Sequence, residues 1–121
     1  MRMLVVDDDP TVRGIVIDLL NLSGHTALDV SNGAQALALL KAEEFDAVLL
    51  DHSMPEITGV EVLRRLRATG NDVRVGFITG ARGHPEIEQL RRQAVPVIFK
   101  PFGWTEFKAF LERLEAPEQD R

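Results

Sequence analysis

The sequence predicts an α/β fold in which helices cover both faces of a parallel β-sheet. Five apolar runs of strand length alternate with segments whose apolar residues recur at helical spacing. Most of these runs are continuously apolar, which is typical of parallel strands that are covered on both sides. The chain has 121 residues, the size of one domain, and its 45% of hydrophobic residues can form one core. Five β–α units in series therefore account for the whole chain.

The predicted strands are residues 3–6, 26–30, 47–50, 73–78 and 95–99. The second run is the weakest of them because it contains Asp29, and we expect it at an edge of the sheet. In sheets of this kind, ligands bind beyond the carboxyl ends of the strands, where the strand order reverses. The functional residues are therefore sought directly after the strands.

The segments between the strands carry helix signals. Asp9 and Pro10 are typical of a helix entry, with a capping side chain followed by a first-turn proline, and Gly24 suits the helix end. Residues 31–33 form a turn into the second helix. We interpret the aromatic residues of the fifth helix as core residues. The predicted apolar faces contain Val12, Ile15, Val16, Leu19 and Leu20, then Leu37 and Leu40, then Gly59, Val62, Leu63 and Leu66, then Ile87, Leu90 and Ala94, and finally Trp104, Phe107, Leu111 and Leu114.

The composition argues against several classes of protein. The chain has no cysteine, which excludes disulfides, thiolate metal sites and thiol catalysis. Its net charge of −5 argues against nucleic-acid binding, which needs a basic surface. No run approaches the roughly 18 apolar residues of a membrane span, and the N-terminal segment lacks the features of a signal peptide. We expect a cytoplasmic protein with no membrane or nucleic-acid partner.

Polar side chains follow four of the predicted strands. Asp7 and Asp8 come after the first strand, Asp51 after the third, Thr79 after the fourth and Lys100 after the fifth. The carboxyl ends of parallel strands lie at one edge of the sheet, so these side chains should share a crevice there. Taken singly, each of them could be a helix cap, a turn residue or a surface residue.

The chemistry of such a crevice is restrictive. Clustered carboxylates repel each other unless a cation compensates, and all-oxygen ligands favour Mg²⁺, Mn²⁺ or Ca²⁺. Mg²⁺ takes one or two carboxylates together with phosphate oxygens, which leaves a carboxylate free to form an aspartyl-phosphate. Lys100 would then pair with one phosphoryl oxygen, and Thr79 would donate a hydrogen bond to another.

These residues resemble the receiver domain of response regulators in two-component signalling, over about residues 2–115. The segment LVVDDDP resembles the acidic opening of that family, and DHSMPEITGVEV fits its pattern D-x-x-M-P-x-x-x-G-x-E. Thr79 and Gly80 match the switch hydroxyl and the small residue after it, and Lys100 begins the family's K-P-F. The resemblance implies a flavodoxin-like (βα)5 sheet of strand order 2-1-3-4-5. It also implies a cis bond between Lys100 and Pro101.

The resemblance also implies roles for individual residues. Asp51 is the phosphoacceptor, with Thr79 and Lys100 as its catalytic partners. The Mg²⁺ ligands are Asp8 directly, Asp7 mainly through water, Asp51, and the backbone carbonyl of Ser53. The receiver domain would comprise residues 1–116, and residues 117–121 would form a frayed polar tail.

The sequence departs from the family at the position three residues before the lysine, where an aromatic residue is usual. Val97 occupies that position, and we expect the side chain of Phe99 to point to the opposite face of the strand. Activation would then work through the loops after the third and fourth strands. The segment between Thr79 and Lys100 resembles receivers that are attached to hybrid histidine kinases.

The predicted function is a phosphorylation switch and not an enzyme. A histidine kinase or a histidine phosphotransfer protein donates the phosphoryl group, and the chain signals by protein contact, with a phosphorylation-dependent dimer as one form. The alternative is a phosphorylation-independent interaction module on a receiver-like fold. A metal-dependent phosphatase would need a general acid two residues after the nucleophile, where Ser53 stands. His25, His52 and His84 are interpreted as neutral loop residues.

Overall fold

The computed structural model describes residues 1–117, which form a five-stranded sheet with strand order β2-β1-β3-β4-β5. Every neighbouring pair of strands is parallel. This confirms the predicted fold class and strand order. The predicted tail lies, from residue 118 onward, outside the described residues. The elements, in chain order, are β1 (Arg2–Val6), α1 (Pro10–Leu22), β2 (Thr26–Val30), α2 (Gly33–Ala42), β3 (Ala47–Leu50), α3 (Gly59–Ala68), β4 (Arg74–Thr79), α4 (Pro85–Arg92), β5 (Val97–Phe99) and α5 (Trp104–Glu115).

The helices begin where a polar side chain can satisfy a free backbone N–H group. Asp9 caps α1 by accepting hydrogen bonds from the N–H groups of Thr11 and Val12, as predicted. The side chains of Asn32, Thr58 and His84 cap α2, α3 and α4 in the same way. These caps fix where each loop at the carboxyl edge of the sheet ends.

The predicted end of the first helix at Gly24 is confirmed, but the fourth helix ends before Ala94. Gly24 follows the C-cap of α1 and has a φ of 85°, a conformation that glycine adopts without strain. Ala94 was predicted on the face of the fourth helix, but α4 ends at Arg92. Ala94 instead turns the chain with a φ of 63°. The apolar pattern continued past the helix because Val95 already belongs to the approach to β5.

Alternating strand residues divide the core between the two faces of the sheet. Leu4, Val48 and Phe77 belong to the cluster on one face, which includes residues of α2, α3 and α4. Met3 and Leu49 belong to the cluster on the other face, which includes residues of α1 and α5. The edge strand β2 has no fully buried residue, as the position of Asp29 predicted.

Two residues that were predicted to be in the core lie half exposed. Phe107 is fully buried in α5, but Trp104 is 49% exposed because it begins that helix, beyond the end of β5. In α1 the buried residues are Val16 and Leu20, whereas Ile15 is 50% exposed. None of the helices within residues 1–117 has the length and apolar character needed to cross a membrane.

Candidate functional site

The hydrogen-bond ladder of the sheet continues past the strand ends and holds the backbone of the site. The N–H of Asp51 donates to the carbonyl of Val6 at 3.0 Å, which places Asp51 beside Asp7. At the same edge of the sheet, beyond the ends of β4 and β5, the N–H of Lys100 donates to the carbonyl of Thr79 at 2.9 Å. The bond between Lys100 and Pro101 is cis, as predicted.

One lysine ammonium joins the two buried carboxylates. Lys100 Nζ lies 2.7 Å from Asp7 Oδ2 and 3.2 Å from Asp51 Oδ2. The second oxygen of each carboxylate accepts a backbone hydrogen bond, Asp7 Oδ1 from Asp9 at 2.9 Å and Asp51 Oδ1 from Ser53 at 3.1 Å. Both carboxylates are therefore oriented, and the structure brings together three of the residues that the sequence singled out.

The electrostatics of this trio are unbalanced, because two carboxylates share one cation. Burial raises the pKa of Asp7, and the nearby Asp51 charge acts in the same direction, against the hydrogen bonds from Lys100 and Asp9. Burial also acts to lower the pKa of Lys100, but the hydrogen bond to Asp7 and the charges of both carboxylates outweigh it, so the pKa is raised. Lys100 therefore stays protonated in the crevice, and the two carboxylates beside it leave an excess of negative charge.

The excess charge gives the crevice the character of a cation site. Carboxylate oxygens of Asp7, Asp8 and Asp51 lie within 4.8 Å of one another, and Asp8 is exposed to solvent while the other two are buried. An all-oxygen set with one open side suits a hard divalent cation that keeps several waters. Three of the four predicted metal ligands are thus close together, and the metal-binding roles of all four, including the Ser53 carbonyl, stay predictions.

In Mg²⁺-free buffer we expect Asp7→Asn to raise the free energy of unfolding near neutral pH, because the amide cannot ionise. Folded Asp7 binds its proton more tightly than the unfolded chain, whose reference pKa is 3.8. Within the window between that value and the raised pKa, the folded state holds more protons, so this group adds stability as the pH falls. Urea unfolding across a pH series measures both effects, and the variant should lack this contribution. An Asn variant that is less stable than the wild type near neutral pH would contradict the expectation.

Thr79 ends β4 and is completely buried. Its Oγ1 accepts a hydrogen bond from the N–H of Ala81 at 3.2 Å, so the hydroxyl belongs to the turn that leaves the strand. Gly80 lies between them, and the N–H of Arg82 donates to its carbonyl at 2.8 Å. This short turn, residues 79–82, connects the hydroxyl of Thr79 to the approach to α4.

Gly59 lies where the backbone of the loop after β3 returns to Asp51. A Cβ atom at Gly59 would lie 2.4 Å from the carbonyl oxygen of Asp51 and 3.0 Å from the ring of Phe77. Only glycine allows this approach. The sequence assigned Gly59 to a helix face, but its contact is with the backbone of Asp51.

His52, His84 and Glu86 form a second group in which potential ligand atoms lie within 4.8 Å of one another. The Nδ1 atoms of His52 and His84 accept backbone hydrogen bonds from Val60 and Glu86, respectively. These hydrogen bonds occupy the Nδ1 lone pair of each ring and so compete with metal binding at that atom. Burial lowers the pKa of His52, which favours the neutral form. Both histidines thus hold loop backbone in place, and Glu86 is bound by the guanidinium of Arg64.

The prediction for Phe99 was wrong. Val97 and Phe99 both pack against the cluster that contains Phe77, whereas Ile98 belongs to the cluster on the other face. Residues two apart in a strand share a face, so Phe99 lies on the same side as the position where the family usually has its aromatic residue. The strand alternation of β5 itself predicts this shared face, because residues 97 and 99 lie two positions apart.

The strand order and the carboxylate–lysine crevice define the class of doubly wound α/β proteins that bind their ligands at the carboxyl edge of the sheet. Within that class, the family described as "Response regulator receiver domain" matches residues 3–112. The chain belongs to this family.

Relatives and solved structures agree with this assignment. The response regulator MprA of Mycobacterium avium is 35% identical over an alignment of 125 positions that covers 99% of this chain and 54% of that protein. The chain thus spans about half the length of the curated relatives that it resembles. The response regulator TrrA of Thermotoga maritima, in complex with Mg²⁺–BeF, has a TM-score of 0.81 and 30% identity, covering 93% of this chain and 97% of that one. TrrA in complex with the histidine kinase ThkA has a TM-score of 0.80 at 30% identity, covering 95% and 98%.

Proposed function

We propose that the chain accepts a phosphoryl group on Asp51 and that Mg²⁺ is required for the transfer. The observation that carries the proposal is the position of Lys100 Nζ between the Oδ2 atoms of Asp7 and Asp51. A buried carboxylate that is oriented by a backbone N–H group and flanked by an ammonium suits a nucleophile whose product is anionic. Asp7, Asp8 and Asp51 would hold the cation, which would neutralise charge on the transferred phosphoryl group.

In the proposed transfer, one bond to phosphorus forms while another breaks. A carboxylate oxygen of Asp51 attacks the phosphorus of a phosphohistidine, and an acyl phosphate P–O bond forms. The P–N bond breaks, and the donor imidazole keeps the electron pair and takes up a proton. Lys100 binds one oxygen of the transferred group, for which it must leave its contact with Asp51, and Thr79 donates its hydroxyl to another.

The proposed donor is a histidine kinase or a histidine phosphotransfer protein. The structure of TrrA with the kinase ThkA supports a kinase as the donor, because TrrA is 30% identical to this chain and shares its fold. The complex of TrrA with Mg²⁺–BeF supports the cation in the same way. The chain would then act in the cytoplasm as a switch that signals through protein contacts. Attachment to a hybrid kinase stays a prediction.

Calorimetric titration with beryllofluoride, an analogue of the phosphoryl group, tests the proposal. We expect binding by the wild-type chain in the presence of Mg²⁺, no binding with a chelator, and no binding by Asp51→Asn. Asp72→Asn is the matched control, since Asp72 is exposed and precedes β4 at the opposite edge of the sheet. A folded wild-type chain that binds no beryllofluoride would contradict the proposal and favour a phosphorylation-independent interaction module.

A further inference from the structure

Phe99 is an aromatic residue that lies between two residues of the site, Thr79 and Lys100, and helix α4. In the sheet it is the register partner of Thr79, and in the chain it directly precedes Lys100. Its side chain packs, partly buried, on the face of the sheet that α4 covers. Phe99 is therefore next to Lys100 along the chain and opposite Thr79 across the β4–β5 pair.

Two guanidinium groups contact the ring of Phe99. The guanidinium carbon of Arg82 lies 4.5 Å from the ring centroid, and that of Arg91 lies 5.3 Å from it. Arg82 belongs to the turn that begins at Thr79, and Arg91 belongs to α4, where it also binds Glu88. We call these three side chains, Arg82, Phe99 and Arg91, the arginine–phenylalanine stack.

The stack has the properties of an adjustable contact. Each cation is attracted by the electron-rich face of the ring, whereas the two guanidinium groups repel each other. When one of them leaves, the other can approach the ring more closely. The two contacts are individually weak, so a small displacement of the turn can redistribute them.

We propose that Phe99 is a positioning residue that couples the turn after β4 to α4 through the arginine–phenylalanine stack, in a chain whose usual aromatic position holds Val97. The inference rests on the proposed function. When Thr79 turns its hydroxyl toward the phosphoryl group, it gives up its hydrogen bond from Ala81, and the turn moves with Arg82. Arg82 leaves the ring, Arg91 closes on it, and α4 changes its orientation on the sheet.

The test compares the response of α4 amides to Mg²⁺ and beryllofluoride, measured by NMR, in four forms of the chain. Phe99→Leu removes the ring and keeps an apolar side chain of similar size, and Arg82→Gln removes only the cation contributed by the turn. Arg92→Gln is the control, because Arg92 is an exposed neighbour of Arg91 on α4. The rate of phosphorylation by acetyl phosphate is measured alongside for each form.

We expect every variant to be phosphorylated at the wild-type rate. On addition of Mg²⁺ and beryllofluoride, the equilibrium constant between the two arrangements of α4 should change about two- to fivefold less in Phe99→Leu and Arg82→Gln than in the wild type. The Arg92→Gln control should respond as the wild type does. A full wild-type response of α4 in either stack variant overturns the inference. If Phe99→Leu fails to fold, Arg82→Gln alone decides the question. A wild-type chain that takes up no phosphoryl group contradicts the proposed function instead, which separates the two failures.

Discussion

Gly59→Ala is expected to lower the free energy of unfolding by about 3 kcal/mol, at the upper end of what overpacking costs. The added methyl group would lie 2.4 Å from the carbonyl oxygen of Asp51 and 2.9 Å from its carbonyl carbon. These are backbone atoms held by the sheet ladder, and they cannot move aside as a flexible side chain would. The loop after β3 must shift instead, which also displaces Asp51. Urea unfolding at equilibrium measures the loss.

Gly14→Ala is the matched control for this substitution. Gly14 lies within α1, and nothing lies within 4 Å of the place where its Cβ would be. Alanine there should stabilise the chain by about 0.5–1 kcal/mol through helix propensity alone. Equal effects of the two substitutions would show that the close approach of Gly59 to Asp51 does not exist in solution.

Lys100→Met should slow phosphorylation of the chain by acetyl phosphate about 100-fold, the loss typical of removing one charged or polar group that stabilises a transition state. Methionine keeps most of the apolar stem and removes the ammonium that contacts Asp7 and Asp51. The variant should also unfold more easily without Mg²⁺, because two buried carboxylates then lack their shared cation. Intact-mass spectra over time measure the rate, and urea unfolding measures the stability.

Lys41→Met is the control for the lysine substitution, since Lys41 is exposed in the last turn of α2. It should leave the rate of phosphorylation unchanged. A Lys100→Met variant that is phosphorylated at the wild-type rate would mean that the ammonium does not stabilise the transferred charge, and its role would then be limited to balancing Asp7 in the resting crevice.

The features that the sequence predicted correctly are those fixed by period and by topology. Continuous apolar runs identified the strands, and the parallel arrangement then required Asp7, Asp51 and Lys100 to meet at one edge. The structure brings these side chains into contact. Strand order could be taken only from the resemblance to the receiver family, since it depends on how the helices pack and not on any one run of residues.

Features that depend on depth of packing were predicted less well. Ile15 and Trp104 fit helical faces by spacing, but spacing does not reveal how far a helix extends beyond the sheet that covers it. The burial of His52 and the contact of Gly59 with Asp51 arise from one loop folding back on itself, which leaves no periodic signal. The contacts of Phe99 with two arginines required the helix α4 to be in place.

Locating the phosphoryl group on the chain tests most directly whether Asp51 is the phosphoacceptor. The chain is incubated with acetyl phosphate and Mg²⁺, and the modified residue is located by mass spectrometry of its peptides. We expect one phosphoryl group, on the peptide that contains Asp51, which does not form when Mg²⁺ is chelated before acetyl phosphate is added and is absent from Asp51→Asn. A phosphoryl group on another residue, or one that persists in Asp51→Asn, would contradict this expectation.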